Sequence, residues 1–357
     1  MASRDVLDEA YGRLHRSGPE FGGDEEGNNG LTNHGPMAVE VMVRRGLDID
    51  VDRWLDSYVR RLVDLPPPSD RITEETWRSA LGDGRRIADW TDYFTRQVAE
   101  RPWREVLVTW WPRLLPGIAA GATHGVIRVS HAVRALLGTG DTPAGVAELA
   151  CGLAFWAGRS RTLPEVVPPA GLLDAATALA RVPHLPDQSG LIVNRLRRLA
   201  DVGGWPESLA ALRPPAADDE VPAALAGLVD AATARYLGHG HGSPVLLVHT
   251  ATAPNAVLHT LPVLPRELWQ ASFAAAWAAS AAIISAYEPA GEADRARLPA
   301  APSDSDPTGA VLARASEHRD EHVLKFADTA VEAYERTGDP DTLAAAVRVG
   351  QLIDPSR

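Results

Sequence analysis

This sequence predicts an all-α fold, a single large multi-helix domain spanning residues 1–357. Two observations carry the prediction. Apolar residues recur near every 3.6 positions through most of the chain, and the periodic segments end in helix punctuation: Arg45-Gly46, Leu65-Pro66, Leu137-Gly138 and Thr337-Gly338. Strand signals, by contrast, are scarce. In order, the helical segments are ASRDVLDEAYGRLHR, DVDRWLDSYVRRLVDL, PWREVLVTWWPRLL, GIAAGATHGVIRVSHAVRALL, GLLDAATALARV, ELWQASFAAAWAASAAIISAY and TGAVLARASEHRDEHVLKFADTAVEAYERTG. PVLLVHT (Pro244–Thr250) reads either as a short strand or as the opening of a helix. Irregular stretches fall at Gly18–Asn33, Pro66–Ser69, Pro214–Glu220 and Glu288–Gly309, and no 20–50-residue repeat is present.

Composition narrows the class. Apolar residues make up 45% of the chain and charged residues 23%, enough for a core and too apolar for disorder. One cysteine, Cys151, excludes an internal disulfide and any multi-cysteine zinc module. A net charge of −12 repels phosphate backbones, so no nucleic-acid partner is expected. The opening MASRDVLDEAYGRL lacks the apolar centre of a secretory signal. Ala271–Tyr287, the longest apolar stretch, contains Ser280 and Ser285 and reads as a buried helix, not a membrane span. A cytoplasmic location is the expectation.

No G-x-G-x-x-G follows a strand, and neither a P-loop nor a G-x-S-x-G elbow occurs, so nucleotide cofactors and serine hydrolysis are not signalled. GHGHG (Gly238–Gly242) resembles a metal tract, but its glycines suggest a mobile loop. The chemistry must therefore come from elsewhere. Among the 11 histidines, His124 and His131 share a helical stripe with Arg128, all within about 60° on the wheel. That stripe otherwise holds Gly117, Ala120, Gly121 and Ala135, small residues that leave room beside the polar ones. His124 and His131 are two turns apart, about 10.5 Å along the axis, too far to share one ion comfortably. One would ligate and the other would orient; either order is open, and Gly121 and Gly125 beside His124 favour it as the ligand.

A second stripe, His318, His322 and Lys325 at i, i+4 and i+7, continues through Phe326 and Thr329 and reads as inward-facing. Lys325 is the chain's only lysine among 35 basic residues. Arginine stays charged, whereas a buried lysine can lose its proton and become a nucleophile, for instance toward carbon dioxide. Two further histidines are positioned. His34 sits in an N-H-G-P turn, with Asn33 as cap and Pro36 in the first turn of the next helix, and His249 ends the apolar run VLLVH, where burial demands a partner. His15, His184, His239 and His241 read as surface residues. Of the 10 tryptophans, Trp54, Trp110, Trp111 and Trp156 are candidates for pocket walls.

LTNHGPMAVE, the spacing of Trp54, Tyr58 and Trp77, DWTDYF, PWREVLVTWWPRLLPGIAAGATHGVIRVSHAVRAL, VHTATAP and DEHVLKF together resemble the questin oxidase-like family, from the N-terminal helix to about Ala330. The resemblance implies an all-helical oxygenase of aromatic polyketides. It opens an anthraquinone ring in a Baeyer–Villiger-like step, with reduced nicotinamide as a possible cosubstrate although no binding motif for it is seen. It also implies a mononuclear non-haem Fe(II) held by four histidines and a carboxylated lysine. Position by position these fall on His34, His124, His249, His322 and Lys325. His131, Arg128, Asn33 and Thr252 are then expected to orient the ligands or contact substrate, with Arg128 either stabilising a developing oxyanion or forming a structural salt bridge.

Four neutral imidazoles and one carbamate would leave a sixth octahedral position for O2, and ligands of this type suit iron. The expected substrate is a polycyclic aromatic docked along Gly117, Gly121 and Arg128. Two rivals remain at this stage: a metal-dependent hydrolase or lactonase, and a non-catalytic helical protein that binds a polycyclic ligand.

Overall fold

Helix breaks, more than helix content, decide where the side chains of interest point. The computed structural model describes residues 3–15, 17–20, 32–119 and 121–356, so Ala120 and residues 21–31 of the irregular N-terminal stretch lie outside the described residues. The fold is all-α apart from one small two-stranded sheet. The backbone clusters into two compact units: Met1–Thr162 with Pro262–Leu264, and Leu163–Leu261 with Pro265–Arg357.

The first unit runs α1 (Ser3–Leu14), β1 (Ser17–Glu20), α2 (Gly35–Arg45), α3 (Val51–Tyr58), β2 (Leu62–Asp64), α4 (Trp77–Ala80), α5 (Ile87–Glu100), α6 (Trp103–Leu114), α7 (His124–Thr139) and α8 (Pro143–Arg159). Strands β1 and β2 pair antiparallel, Ser17 opposite Asp64 and Glu20 opposite Leu62. They have no counterpart in the sequence reading, because three or four residues that include Gly18 and Pro19 leave no alternating pattern. Helix α8 packs between α5 and α7. Close approach of α7 and α8 needs two glycines: a Cβ at Gly125 would lie 2.6 Å from Trp156, and one at Gly152 would lie 3.2 Å from Val129. Trp77, Trp90, Tyr93, Phe94 and Trp110 form one buried aromatic cluster, with Trp90 and Trp110 ring centroids 5.5 Å apart.

The second unit comprises α9 (Ala175–Ala180), α10 (Ile192–Arg197), α11 (Trp205–Ala211), α12 (Val221–His239), α13 (Pro244–Leu247), α14 (His249–Thr260), α15 (Trp269–Tyr287), α16 (Pro307–His318), α17 (Glu321–Thr337) and α18 (Pro340–Leu352). PVLLVHT is thus helical. Helix α12 packs against α14, α17 and α18, and α14 lies on α15. Pro254 stands inside α14 and has no N–H to give to the carbonyl of Thr250. That carbonyl instead accepts from Ser280 Oγ of α15 at 2.8 Å, so the defect becomes an interhelix contact. Arg266–Tyr287 is the one segment among the described residues long and apolar enough to cross a membrane, and 67% of its apolar 18-residue window is buried within the protein, as in a core helix.

GHGHG is a packed corner, not a mobile loop: Cβ atoms at Gly238, Gly240 and Gly242 would fall 2.4–2.6 Å from Glu292, Tyr236 and Pro289. His184 and His239, read as surface residues, both face buried Glu288, with Nε2 at 3.4 and 3.7 Å from Oε1. His15 likewise faces Glu148 at 3.4 Å.

Candidate metal centre

His34 is fully buried and stands as the N-cap of α2. Asn33 Oδ1 accepts the Gly35 N–H at 3.1 Å and its Nδ2 donates to the Leu14 carbonyl, so this asparagine fixes the turn one residue before the cap. Gly35 is required there, since a Cβ would meet Tyr58 at 2.7 Å and Leu14 at 2.9 Å. The sheet delivers a partner: Glu20, the last residue of β1, places Oε1 2.8 Å from His34 Nδ1. The same oxygen accepts from Tyr58 Oη at 2.7 Å and Arg61 Nη2 at 3.2 Å. Tyr58 Oη in turn accepts the His34 backbone N–H at 2.5 Å.

His124 is placed by a different device. Gly121, Ala122 and Thr123 take consecutive left-handed conformations, with φ of 58°, 53° and 65°, and α7 starts only at His124. The predicted helix from Gly117 is therefore interrupted just before its first histidine. Left-handed alanine and threonine each cost about 1–2 kcal/mol. The turn sets the Gly121 carbonyl 2.5 Å from His124 Nδ1.

These contacts fix the chemistry of the pair. A carboxylate and a carbonyl only accept, so both Nδ1 atoms carry hydrogen, and each neutral ring is left with a bare Nε2. The two Nε2 atoms lie 2.8 Å apart, with the rings edge-on at 79°. Two lone pairs at that distance repel unless a cation, a proton or a metal ion, lies between them. Adjacent imidazoles on one first-row ion, at bond lengths of about 2.0–2.1 Å and right angles, would hold their nitrogens about 2.9 Å apart. This buried histidine pair can hold a metal ion, and its Nδ1 anchors are the usual supports of metal-bound histidine.

The second unit gathers the remaining three predicted ligands. His249 opens α14, buried, with Nδ1 3.2 Å from the Leu246 carbonyl. Burial, followed by the neighbouring His322 and Lys325, pushes its pKa well below the usual histidine value, so the ring is neutral and suited to ligation. The His249 and His322 rings lie 5.8 Å apart at 68°. His322 is in the first turn of α17, whose N-cap, Asp320, accepts the N–H groups of His322 and Val323. Burial works against the Asp320 charge, but hydrogen bonds from His322 and from these backbone N–H groups hold the carboxyl below its ordinary value. Asp320, Glu321 and His322 present ligand atoms within 4.8 Å of one another. Lys325 follows one turn later, 3% exposed, and Thr252 lies buried three residues beyond His249. His318 does not share their face: α16 ends at His318, Arg319 is left-handed, and its Nε2 goes to the Ile353 carbonyl.

The other predicted contacts go elsewhere. His131 Nδ1 lies 2.7 Å from Glu40, in a buried cluster with Arg134. Arg128 spends its guanidinium on Glu148. The small stripe is not open space but a packing surface. A Cβ on Gly117 would strike Ser160, one on Gly125 would strike Trp156, and one on Gly121 would press on Phe155. Trp54 stacks on Tyr58 at 4.7 Å, Trp110 belongs to the aromatic cluster, and Trp111 packs edge-on against Trp156. Sequence reasoning missed Glu20, Tyr58 and Glu40 as partners of the histidines.

A family model described as questin oxidase-like matches residues 54–170. Over that segment the chain is similar to the questin oxidase-like family. No curated protein matches the chain. The matched segment begins inside α3 and ends beyond α8, and so contains Tyr58, His124, Arg128 and His131. This is narrower than the resemblance read from the sequence; His34, His249, His322 and Lys325 lie outside it. The family bears the name of an oxidase.

Proposed function

We propose that this chain is a non-haem iron oxygenase that uses O2 to open a C–C bond of a polycyclic, anthraquinone-like aromatic polyketide in a Baeyer–Villiger-like step, acting in the cytoplasm. His34, His124, His249, His322 and a carboxylated Lys325 are the proposed ligands of one Fe(II). The observation that carries the reading is the His34–His124 pair, two buried Nε2 atoms at 2.8 Å with both Nδ1 positions already engaged. The neutral His249 beside His322 and the near-complete burial of the sole lysine support the rest of the ligand set. An ammonium in that setting is costly, whereas a neutral amine that has taken up carbon dioxide becomes an anionic oxygen donor.

The iron, when bound, supplies the oxygen activation that no side chain here can provide. The protein's own part is to keep the imidazoles neutral, fix their tautomers and exclude water from them. Arg128, whose Nε–Nη2 edge is taken up by Glu148, holds α7 to α8 in this proposal and is not asked to stabilise an oxyanion. NADPH remains a candidate reductant supplied from solution. Elemental analysis of the purified protein, followed by oxygen uptake with a panel of hydroxyanthraquinones with and without NADPH, tests the function. One iron per chain and substrate-dependent uptake are expected. Full activity in a metal-free preparation overturns the proposal.

A further inference from the structure

We propose that Glu20 and Tyr58 are the positioning residues of His34, the first delivered by the two-stranded sheet and the second by the end of α3. The inference rests on the metal-centre reading above for its purpose, but its geometry stands apart from it. His34 is held at two points of one ring of hydrogen bonds. Its backbone N–H donates to Tyr58 Oη, Tyr58 Oη–H donates to Glu20 Oε1, and His34 Nδ1–H donates to that same oxygen. Backbone and side chain of one histidine are thereby tied to a single carboxylate, which leaves no free rotation about either end.

Each member is itself fixed. Glu20 is 7% exposed at the end of β1, opposite Leu62 of β2. Arg61, immediately before β2, adds a third donor to Oε1 at 3.2 Å and lays its guanidinium over the Tyr58 ring at 4.6 Å. Trp54 covers that ring from one turn earlier in α3, nearly parallel at 9°. The bare side of Gly35 admits the Tyr58 edge. A carboxylate behind a metal-bound imidazole orients the ring and raises its basicity, and losing such a partner typically costs 10–100-fold in metal affinity.

The test uses the full chain and two readouts. Histidine ring 15N shifts are recorded on metal-free protein labelled at histidine, with the His34 signals assigned by their loss in His34→Gln. Co(II) is then titrated as the metal probe. In wild type the His34 Nδ1 is expected to be stably protonated. Glu20→Ala is expected to mix the tautomers and raise the Co(II) dissociation constant about 10–100-fold. Glu20→Gln keeps an acceptor opposite Nδ1 and should keep the tautomer with a smaller loss of affinity; it also serves if Glu20→Ala does not fold. Tyr58→Phe should shift the His34 ring signals and weaken Co(II) binding while circular dichroism stays native. Unchanged His34 shifts together with unchanged Co(II) affinity in folded Glu20 and Tyr58 variants overturn the inference. A wild type that binds no Co(II) would instead remove the metal-centre reading, and the tautomer readout would still decide the positioning role.

Discussion

Arg128 and Glu148 form a two-point ion pair inside the first unit, Nε to Oε1 at 2.5 Å and Nη2 to Oε2 at 2.9 Å, with both side chains almost wholly buried. Burial works against the charge on Arg128, yet the facing carboxylate more than offsets it, and the guanidinium pKa is raised. Such a pair is structural by its geometry, because the Nε–Nη2 edge of the guanidinium is committed to a buried carboxylate. Removing one partner strands a buried charge, and Arg128→Ala is expected to destabilise the protein by about 3–5 kcal/mol. Denaturant unfolding measures the loss. Metal content per folded chain should not change, and a fall in metal content with stability intact would return Arg128 to the active centre.

If the histidines hold an ion, that ion binds the folded state and not the unfolded one. Free metal at about 100 times its dissociation constant should then stabilise by about 2.7 kcal/mol. Thermal melts of the apoprotein with added Fe(II), kept anaerobic, should move upward, and the shift should vanish in His34→Ala and His124→Ala. A melting temperature indifferent to Fe(II), Zn(II) and Co(II) alike would contradict the centre.

Lys325→Arg keeps a cation but cannot be carboxylated. Iron content is expected to fall sharply in this variant, with the helical signal retained. In wild type, 13C-bicarbonate should yield a carbamate carbon signal by NMR that Lys325→Arg lacks. Equal iron content in both proteins would show that no carbamate is needed.

Acid stability should fall in two legs. His249 has a folded pKa depressed below 6.5, chiefly by burial, so below that pH the unfolded chain binds a proton that the folded chain refuses, and stability declines. Glu40 is also depressed, from 4.5 to about 2: burial opposes this, but Arg134 and His131 overcome it. Its contribution, about 3 kcal/mol, is complete above pH 4.5 and lost as the pH drops toward 2. Unfolding free energies across this range should show both legs. Glu40→Gln should flatten the lower one and leave the upper one in place.

Gly125 is seated against Trp156, with no room for a Cβ. Gly125→Ala must therefore separate α7 from α8 or tilt the indole, and a loss of about 1–3 kcal/mol is expected. Chemical denaturation gives the value, and an unchanged midpoint would mean the helices tolerate the spacing.

How much of this was legible in the sequence differs from element to element. Helical class followed from periodicity, and the N-H-G-P turn announced a fixed histidine because Asn33, Gly35 and Pro36 each have a local role. Two breaks were invisible. Ala122 and Thr123 are residues a helix accepts, and only packing and the demand for the Gly121 carbonyl at His124 turn them left-handed. Arg319 likewise splits EHRDEH into two helices and removes His318 from the Lys325 face. Glu20 left no trace because it sits in a strand too short to show a pattern, 14 residues from the histidine it supports. The Gly/Ala stripe misled in the other direction: small residues marked the seam between two helices, not a vacant cleft.

The left-handed turn ahead of His124 also bears on engineering. Screens that reward heat tolerance will be drawn to glycine at Ala122 and Thr123, since each replacement relieves an unfavourable backbone angle. The same replacements loosen the grip on the imidazole that follows. Libraries selected for robustness alone would thus enrich hardy proteins in which this imidazole is no longer aimed, and these two positions are best frozen before such selection begins.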